Sequence, residues 1–244
     1  MVNLLYTELL KLKRAKLFQV SVIGAASAPI MMFISLLNIQ SKKPDEPILF
    51  SVFFYNTNMY VLMLMGTLLY GVITAYLFNR EYSENTLKNL LTIPVSKKSI
   101  IASKLALLLI WIIGLTLVMW GLTLILGLIG QFEGLSGTIL LQSLKQYLIG
   151  GSLFFFLSMP TMLVTFLFKN FVPTIIFTAV ITMANILVAD SEYIAIFPWT
   201  AAHVIANSAF VPEYPPEYSY IAILIASLIG LIATLLYFKK VDIQ

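Results

Sequence analysis

Residues 79–104, NREYSENTLKNLLTIPVSKKSIIASK, form the one long polar interval in the middle of an otherwise lipid-soluble chain. The interval carries five of the fifteen basic residues (Arg80, Lys88, Lys97, Lys98, Lys104) and two of the eleven acidic ones (Glu81, Glu84). Charge-free runs flank it: Pro47 to Asn79 on one side, Leu105 to Phe132 on the other. Four more such runs follow the same pattern, Leu17 to Gln40, Gln146 to Phe168, Asn170 to Ala189 and Tyr218 to Phe238. Each supplies the roughly 20 apolar residues that a helix needs to cross about 30 Å of hydrocarbon. The whole chain is only 11% charged, against about 25% in a soluble domain. Six windows of this kind make it a polytopic α-helical membrane protein.

The cations also orient it. With both termini in the cytoplasm, the inner side holds Lys11, Lys13, Arg14, Lys16, the five residues of the polar interval, Lys169, Lys239 and Lys240. The outer side keeps only Lys42, Lys43 and Lys145. That asymmetry follows the positive-inside rule, and the opposite orientation inverts it. The net charge of +4 is therefore distributed by membrane side, and no nucleic-acid partner is expected.

Residues 1–16 read as an amphipathic helix lying in the interface. Val2, Leu5, Tyr6, Leu9 and Leu12 fall on its apolar side, with Asn3, Thr7, Lys11 and Arg14 opposite and the cations facing anionic lipid headgroups. The apolar run that follows is too long for a signal peptide, so this segment is expected to stay as an anchor. The expected spans are Leu17 to Asn38, Thr57 to Phe78, Leu105 to Ile129, Gln146 to Phe168, Asn170 to Ala189 and Ile221 to Phe238. Pro29 is expected to kink the first, and Pro160 to bend the fourth. Phe50, Phe53, Phe54 and Tyr55 suit an aromatic patch at the outer interface. Gly114, Gly121 and Gly127 are expected to allow close helix approach in the third span.

Within the polar interval Ser83 is placed to cap a short helix, with Glu84 in its first turn and Tyr82 and Leu87 at staple positions. Leu87, Leu90 and Leu91 then form one apolar stripe, which Pro94 ends. A helix outside the membrane with its own apolar stripe needs a surface to bury it, either the N-terminal helix or a partner protein. Between the fifth and sixth spans, Asp190 to Tyr218 is too long and apolar for an ordinary loop. Two short helices broken at Pro198 and dipping into the outer leaflet fit it.

Several chemistries are missing. There is no cysteine and no Gly-x-x-x-x-Gly-Lys loop to cradle a phosphate. The span centres hold no Asp, Glu, Lys, Arg or His, where proton relays and ion-coupled carriers place them. Gly134-Leu135-Ser136-Gly137 matches the nucleophile motif of rhomboid intramembrane proteases, but Ser136 falls in an outer loop and His203 is the sole histidine. A lone histidine makes no metal site either.

The run Arg80-Glu81-Tyr82-Ser83-Glu84-Asn85-Thr86-Leu87-Lys88, continued by Leu90-Leu91-Thr92-Ile93-Pro94-Val95-Ser96-Lys97 and Ser103-Lys104, resembles the first cytoplasmic loop of ABC-2-type permeases. Where that family often carries Gly before Thr-Leu, this chain has Asn85. Its length and small outer loops are most similar to permeases of bacterial lantibiotic and bacitracin immunity and peptide export. The resemblance implies one all-α integral membrane domain over 1–244 in a bacterial cell membrane. It has six transmembrane helices, both termini inside, an N-terminal interfacial helix, a cytoplasmic coupling helix, and short re-entrant outer helices before the last span. It implies a transport subunit rather than an enzyme, pairing with an ABC ATPase that binds ATP and Mg, and with a second permease, identical or homologous. The cargo implied is an amphipathic antimicrobial or toxic peptide, with another cargo such as sodium or a lipid as the alternative. Coupling falls on Glu81, Tyr82, Glu84, Asn85, Thr86, Leu87, Leu90 and Leu91, assisted by Leu5, Leu9, Lys11, Leu12 and Arg14 of the N-terminal helix. Phe197, Pro198 and Trp199 are expected to form an outer gate.

Overall fold

A computed structural model describes the backbone over residues 2–13, 15–43, 46–83 and 97–240, and the side chains over 4–12, 15–43, 46–80 and 99–237. Arg14, Glu84, Asn85, Thr86, Leu87, Leu90 and Leu91 lie outside the described residues, as do the side chains of Glu81 and Tyr82.

In hydrocarbon each backbone N–H and C=O must find its partner within the segment, which restricts a chain of this composition to helices. The elements are α1 (Val2–Lys13), α2 (Lys16–Lys42), α3 (Phe50–Tyr60), a π-helical turn (Val61–Met65), α4 (Gly66–Ser83), α5 (Lys97–Ile129), α6 (Gly137–Phe168), α7 (Phe171–Val188), a 3-10 turn (Glu192–Ala195), α8 (Pro198–Asn207) and α9 (Pro216–Lys240). Six stretches are long and apolar enough to cross a membrane: α2, α3 to α4 as one span over Phe50–Arg80, α5, α6, α7 and α9. This is a multi-pass membrane protein. Among the described residues the only strand-like feature is a single bridge between Leu49 and Glu133, which ties two connections at one end of the bundle.

Four spans start earlier than expected, the second at Phe50 rather than Thr57 and the third at Ser99 rather than Leu105 among them. α6 begins at Gly137 rather than Gln146, because Ser136 caps it by accepting the Ile139 N–H at 3.3 Å. Lys145, which interrupts the charge-free window, stands on an exposed face of that helix, where its long stem can carry the charge to the interface. α9 begins at Pro216, whose missing N–H costs nothing in a first turn, with Glu217 beside it at the positive end of the helix dipole. The turn between α6 and α7 is tight: Lys169 is left-handed at φ 51° and Asn170 accepts the Val172 N–H at 3.0 Å. α2 and α6 each run unbroken through an internal proline, Pro29 and Pro160.

The aromatic patch corrects the expectation. Phe50, Phe53 and Phe54 are buried in a cluster with Phe33, Phe132, Trp120 and Tyr147, the Phe53 and Phe132 rings meeting edge to face at 5.1 Å. Three rings within little more than one turn of α3 find partners on α2, α5, α6 and the α5–α6 connection, and this packing then outweighs an interfacial position. The glycines of α5 also differ from expectation. Gly127 is packed against the Phe50 ring, but a side chain at Gly114 or Gly121 would meet nothing within 4 Å.

α6 is the hub, packing on α3, α4, α5, α7, α8 and α9. Its tightest approach is to α9, where a Cβ on Gly230 would run into the backbone of Met159 and Pro160. α7 is polar inward and apolar outward: Thr174, Thr178, Thr182 and Asn185 are buried, while Ile176, Val180, Met183 and Leu187 are exposed. Asn185 reaches the π turn of the second span, donating to Met63 O at 2.9 Å and to Thr67 Oγ1 at 3.1 Å. A π turn leaves carbonyls without their usual partner, and this amide satisfies one of them inside the bundle.

Gly230→Val is expected to force α9 off α6 and destabilise the fold by about 2 kcal/mol, the usual scale of core overpacking. Gly114→Ala, in open space, is expected to change nothing. Thermal unfolding of both variants in the same detergent checks this, and equal midpoints for the two would contradict the close approach.

Candidate coupling site

Connectivity places α1, the start of α2, the end of α4, the start of α5, the α6–α7 turn and the end of α9 at one end of the bundle. This end holds most of the cations, and we call it the basic end. α4 ends there and α5 starts there, and residues 84–96 join the two in sequence.

α1 is a short helix that packs on α5 and turns sharply into α2, with Ala15 N–H bonded to Leu12 O at 2.9 Å. The face it turns to the bundle is not the purely apolar one expected. Leu12 and Glu8 are buried and Leu5 half-buried, whereas Tyr6, Leu9 and Leu10 are exposed. Leu5, Glu8 and Leu12 are spaced three and four apart and so share a face. A carboxylate can occupy that face because cations surround it.

Lys104, in the second turn of α5, is 4% exposed and Glu8 is 7% exposed. Lys104 Nζ lies 3.6 Å from Glu8 Oε2 and donates to Leu77 O of α4 at 2.6 Å. Lys11 Nζ donates to Glu8 Oε1 at 2.6 Å. One ammonium thus joins three elements: the stem by which the chain enters the polar interval, the stem by which it leaves, and the interfacial helix. Arg80 extends the cluster, its guanidinium carbon 5.7 Å from the Tyr76 ring centroid.

Burial by itself pushes the Glu8 carboxyl up. The charges of Lys104, Lys11 and Arg80 and the Lys11 hydrogen bond more than offset it, holding the group below its ordinary 4.5. A carboxyl depressed by folding contributes stability above its unfolded pKa and loses it as pH falls through the folded one. The joint is therefore complete at neutral pH and comes apart only below 4.5.

Of the residues expected in this region, Leu5, Lys11 and Leu12 are brought to the joint, and Leu9 is not. Glu8 and Lys104 carry the geometry, and the sequence pattern assigns Glu8 no role. The available signal is an acid at helical spacing between Leu5 and Leu12 in a segment otherwise rich in cations.

At the opposite end, α8 is enclosed from Trp199 to Ala206. Trp199 packs edge to face on Phe177 of α7 at 6.1 Å, and Phe197 lies 5.8 Å from it. Pro198 opens the helix at its first turn. His203 meets Asn207 Nδ2 at 2.9 Å, and Asn207 Oδ1 accepts from Asn58 at 3.1 Å. The Ser136 hydroxyl pairs with Thr138 and caps α6. No Ser–His hydrogen bond and no group of three potential metal ligands occurs among the described residues.

Glu8→Leu is expected to remove a carboxylate from beside the buried Lys104 ammonium and to cost about 3 kcal/mol. Lys104→Met added to it should recover much of that loss, since an apolar pair of similar volume removes the buried charge. Thermal unfolding of wild type, both single variants and the double variant measures the coupling. Additive losses would show that the two residues do not form the joint.

The chain has clear relatives. The family profile described as ABC-2 family transporter protein matches residues 4–185, from α1 through most of α7. A bacitracin transport permease protein, BCRB, of Bacillus licheniformis is 61% identical over 205 residues, which span 84% of this chain and 99% of that protein. By both measures the chain belongs to the ABC-2 transporter family.

Proposed function

We propose that the chain is the membrane half of an ABC exporter that carries amphipathic antimicrobial peptides out of the cell or its membrane. ATP, with Mg, is bound and hydrolysed on a separate ATPase that docks at the basic end. The observation that carries this reading is the Lys104 joint, which links α1 to both stems of the segment 84–96. A push on that segment is handed at once to α1, α4 and α5. The stripe Leu87, Leu90 and Leu91, with Glu81, Tyr82, Glu84, Asn85 and Thr86, forms the surface on which the ATPase bears.

The basic end faces the cytoplasm in this reading, with Lys11, Lys16, Arg80, Lys104 and Lys169 on that side. Tyr6, Leu9 and Leu10, exposed on α1, then lie in the headgroup and acyl boundary. The chain has no phosphate-cradling loop of its own, so the energy enters through the partner. Peptide cargo is favoured by the likeness to a bacitracin transport permease. A second permease, a copy or a homologue, completes the pathway. α8 re-enters from the outer side, and Phe197, Pro198 and Trp199 act as the outer gate.

Co-purification in a mild detergent tests the core of the proposal. Wild-type chain should bring down an ATPase with a phosphate-binding loop in equal ratio, while Leu87→Asp should insert normally and lose that partner. An ATPase retained in full by Leu87→Asp would sink the coupling assignment.

A further inference from the structure

At the end of the bundle opposite the joint, α3 and α6 leave a groove of about 440 Å³ between them. This lies within the range of small-molecule sites. Its polar wall is made by Asn56 of α3 and by Gln142 and Gln146, one turn apart on α6. Val52, Ile139 and the Phe54 ring supply apolar surface. On its floor Ser143 is already satisfied, accepting from Trp120 Nε1 at 3.0 Å and donating to Leu140 O at 3.0 Å.

The three carboxamides are different. None of their side chains hydrogen-bonds another group among the described residues. Asn56 and Gln146 are half-buried and Gln142 is exposed, with Gln146 roughly 14 Å along α6 from Gly137 at 1.5 Å per residue. All three amides are thus open to a ligand in the groove. The groove is therefore built for something that hydrogen-bonds.

Its charge narrows the choice. No Asp, Glu, Lys or Arg lines it, and the neighbouring Lys145 borders a separate surface with Leu141 and Leu148. A phosphate headgroup would find no cation there. A carboxamide offers two N–H donors and one carbonyl acceptor, which complement the carbonyls and N–H groups of a peptide backbone. The apolar wall beside them takes a side chain.

We infer that this groove binds a short neutral stretch of the peptide cargo, with Asn56, Gln142 and Gln146 holding its backbone. The inference rests on the peptide-export reading and names the site that reading lacks. The groove holds a few residues of the cargo at the far end of the pathway, where affinity sets how readily the peptide is retained before release.

The test uses the permease with its ATPase in lipid vesicles and bacitracin as the probe. Gln142→Leu with Gln146→Leu is expected to raise the bacitracin concentration for half-maximal ATPase stimulation by about tenfold, the loss of one or two net hydrogen bonds. Basal hydrolysis and complex yield should stay unchanged. A photo-reactive residue at Val52 in otherwise native protein should label bacitracin, which keeps the test valid if the double variant fails to assemble. A wild-type response with an unshifted double variant, or labelling of a second permease at Val52 in place of the peptide, overturns the groove and leaves peptide export standing. A wild-type complex indifferent to bacitracin overturns both.

Discussion

A single buried ammonium holds the basic end together. Lys104 is out of water, and an amine in that position is tolerated only if its charge and its donors are met. Glu8 meets the charge and Leu77 O takes a hydrogen bond. Because one partner belongs to α1 and the other to α4, satisfying Lys104 also fixes where three helices sit. A salt bridge of this kind adds little net stability compared with an apolar pair. What it adds is register: α1 docks where Glu8 reaches Lys104.

The rest of the bundle follows the reverse of a soluble fold. Lipid tails are as apolar as leucine, so burying leucine between helices gains little, and polar side chains and close backbones hold the spans together. α7 shows this most plainly, with its threonines and Asn185 inward and its isoleucines, valine and methionine outward. Asn185 also steadies the π turn of the second span. α6 and α9 use the other device, a glycine that lets two backbones meet.

The class of fold was legible because charge is so costly in hydrocarbon that its absence over twenty residues has few other meanings. Helix ends were less legible. Gln146 looked like the start of the fourth span since Lys145 precedes it, yet the helix begins at Ser136 and Gly137 and simply turns that lysine outward. The Phe50–Tyr55 patch looked interfacial because a sequence window cannot say which rings will find partners; three of these four aromatic residues are buried. The coupling stripe at Leu87, Leu90 and Leu91 was read from its own spacing and stands outside the described residues. The Glu8–Lys104 joint left only one sign in the sequence, an acid at helical spacing among the cations of the N-terminal helix.

By itself, then, the sequence determined six spans, a basic end, a short N-terminal helix and the polar segment between the second and third spans. These follow from local quantities, namely charge density, helical period and length against a membrane. Tertiary structure alone decided that α1 turns Glu8 inward, that Lys104 serves α1 and α4 together, and that Asn56 faces Gln142 and Gln146 across one groove. Those pairs lie from 27 to 96 positions apart along the chain. Whether a buried charge or amide is a defect or a site depends on what stands opposite it, and no local pattern in the chain records that.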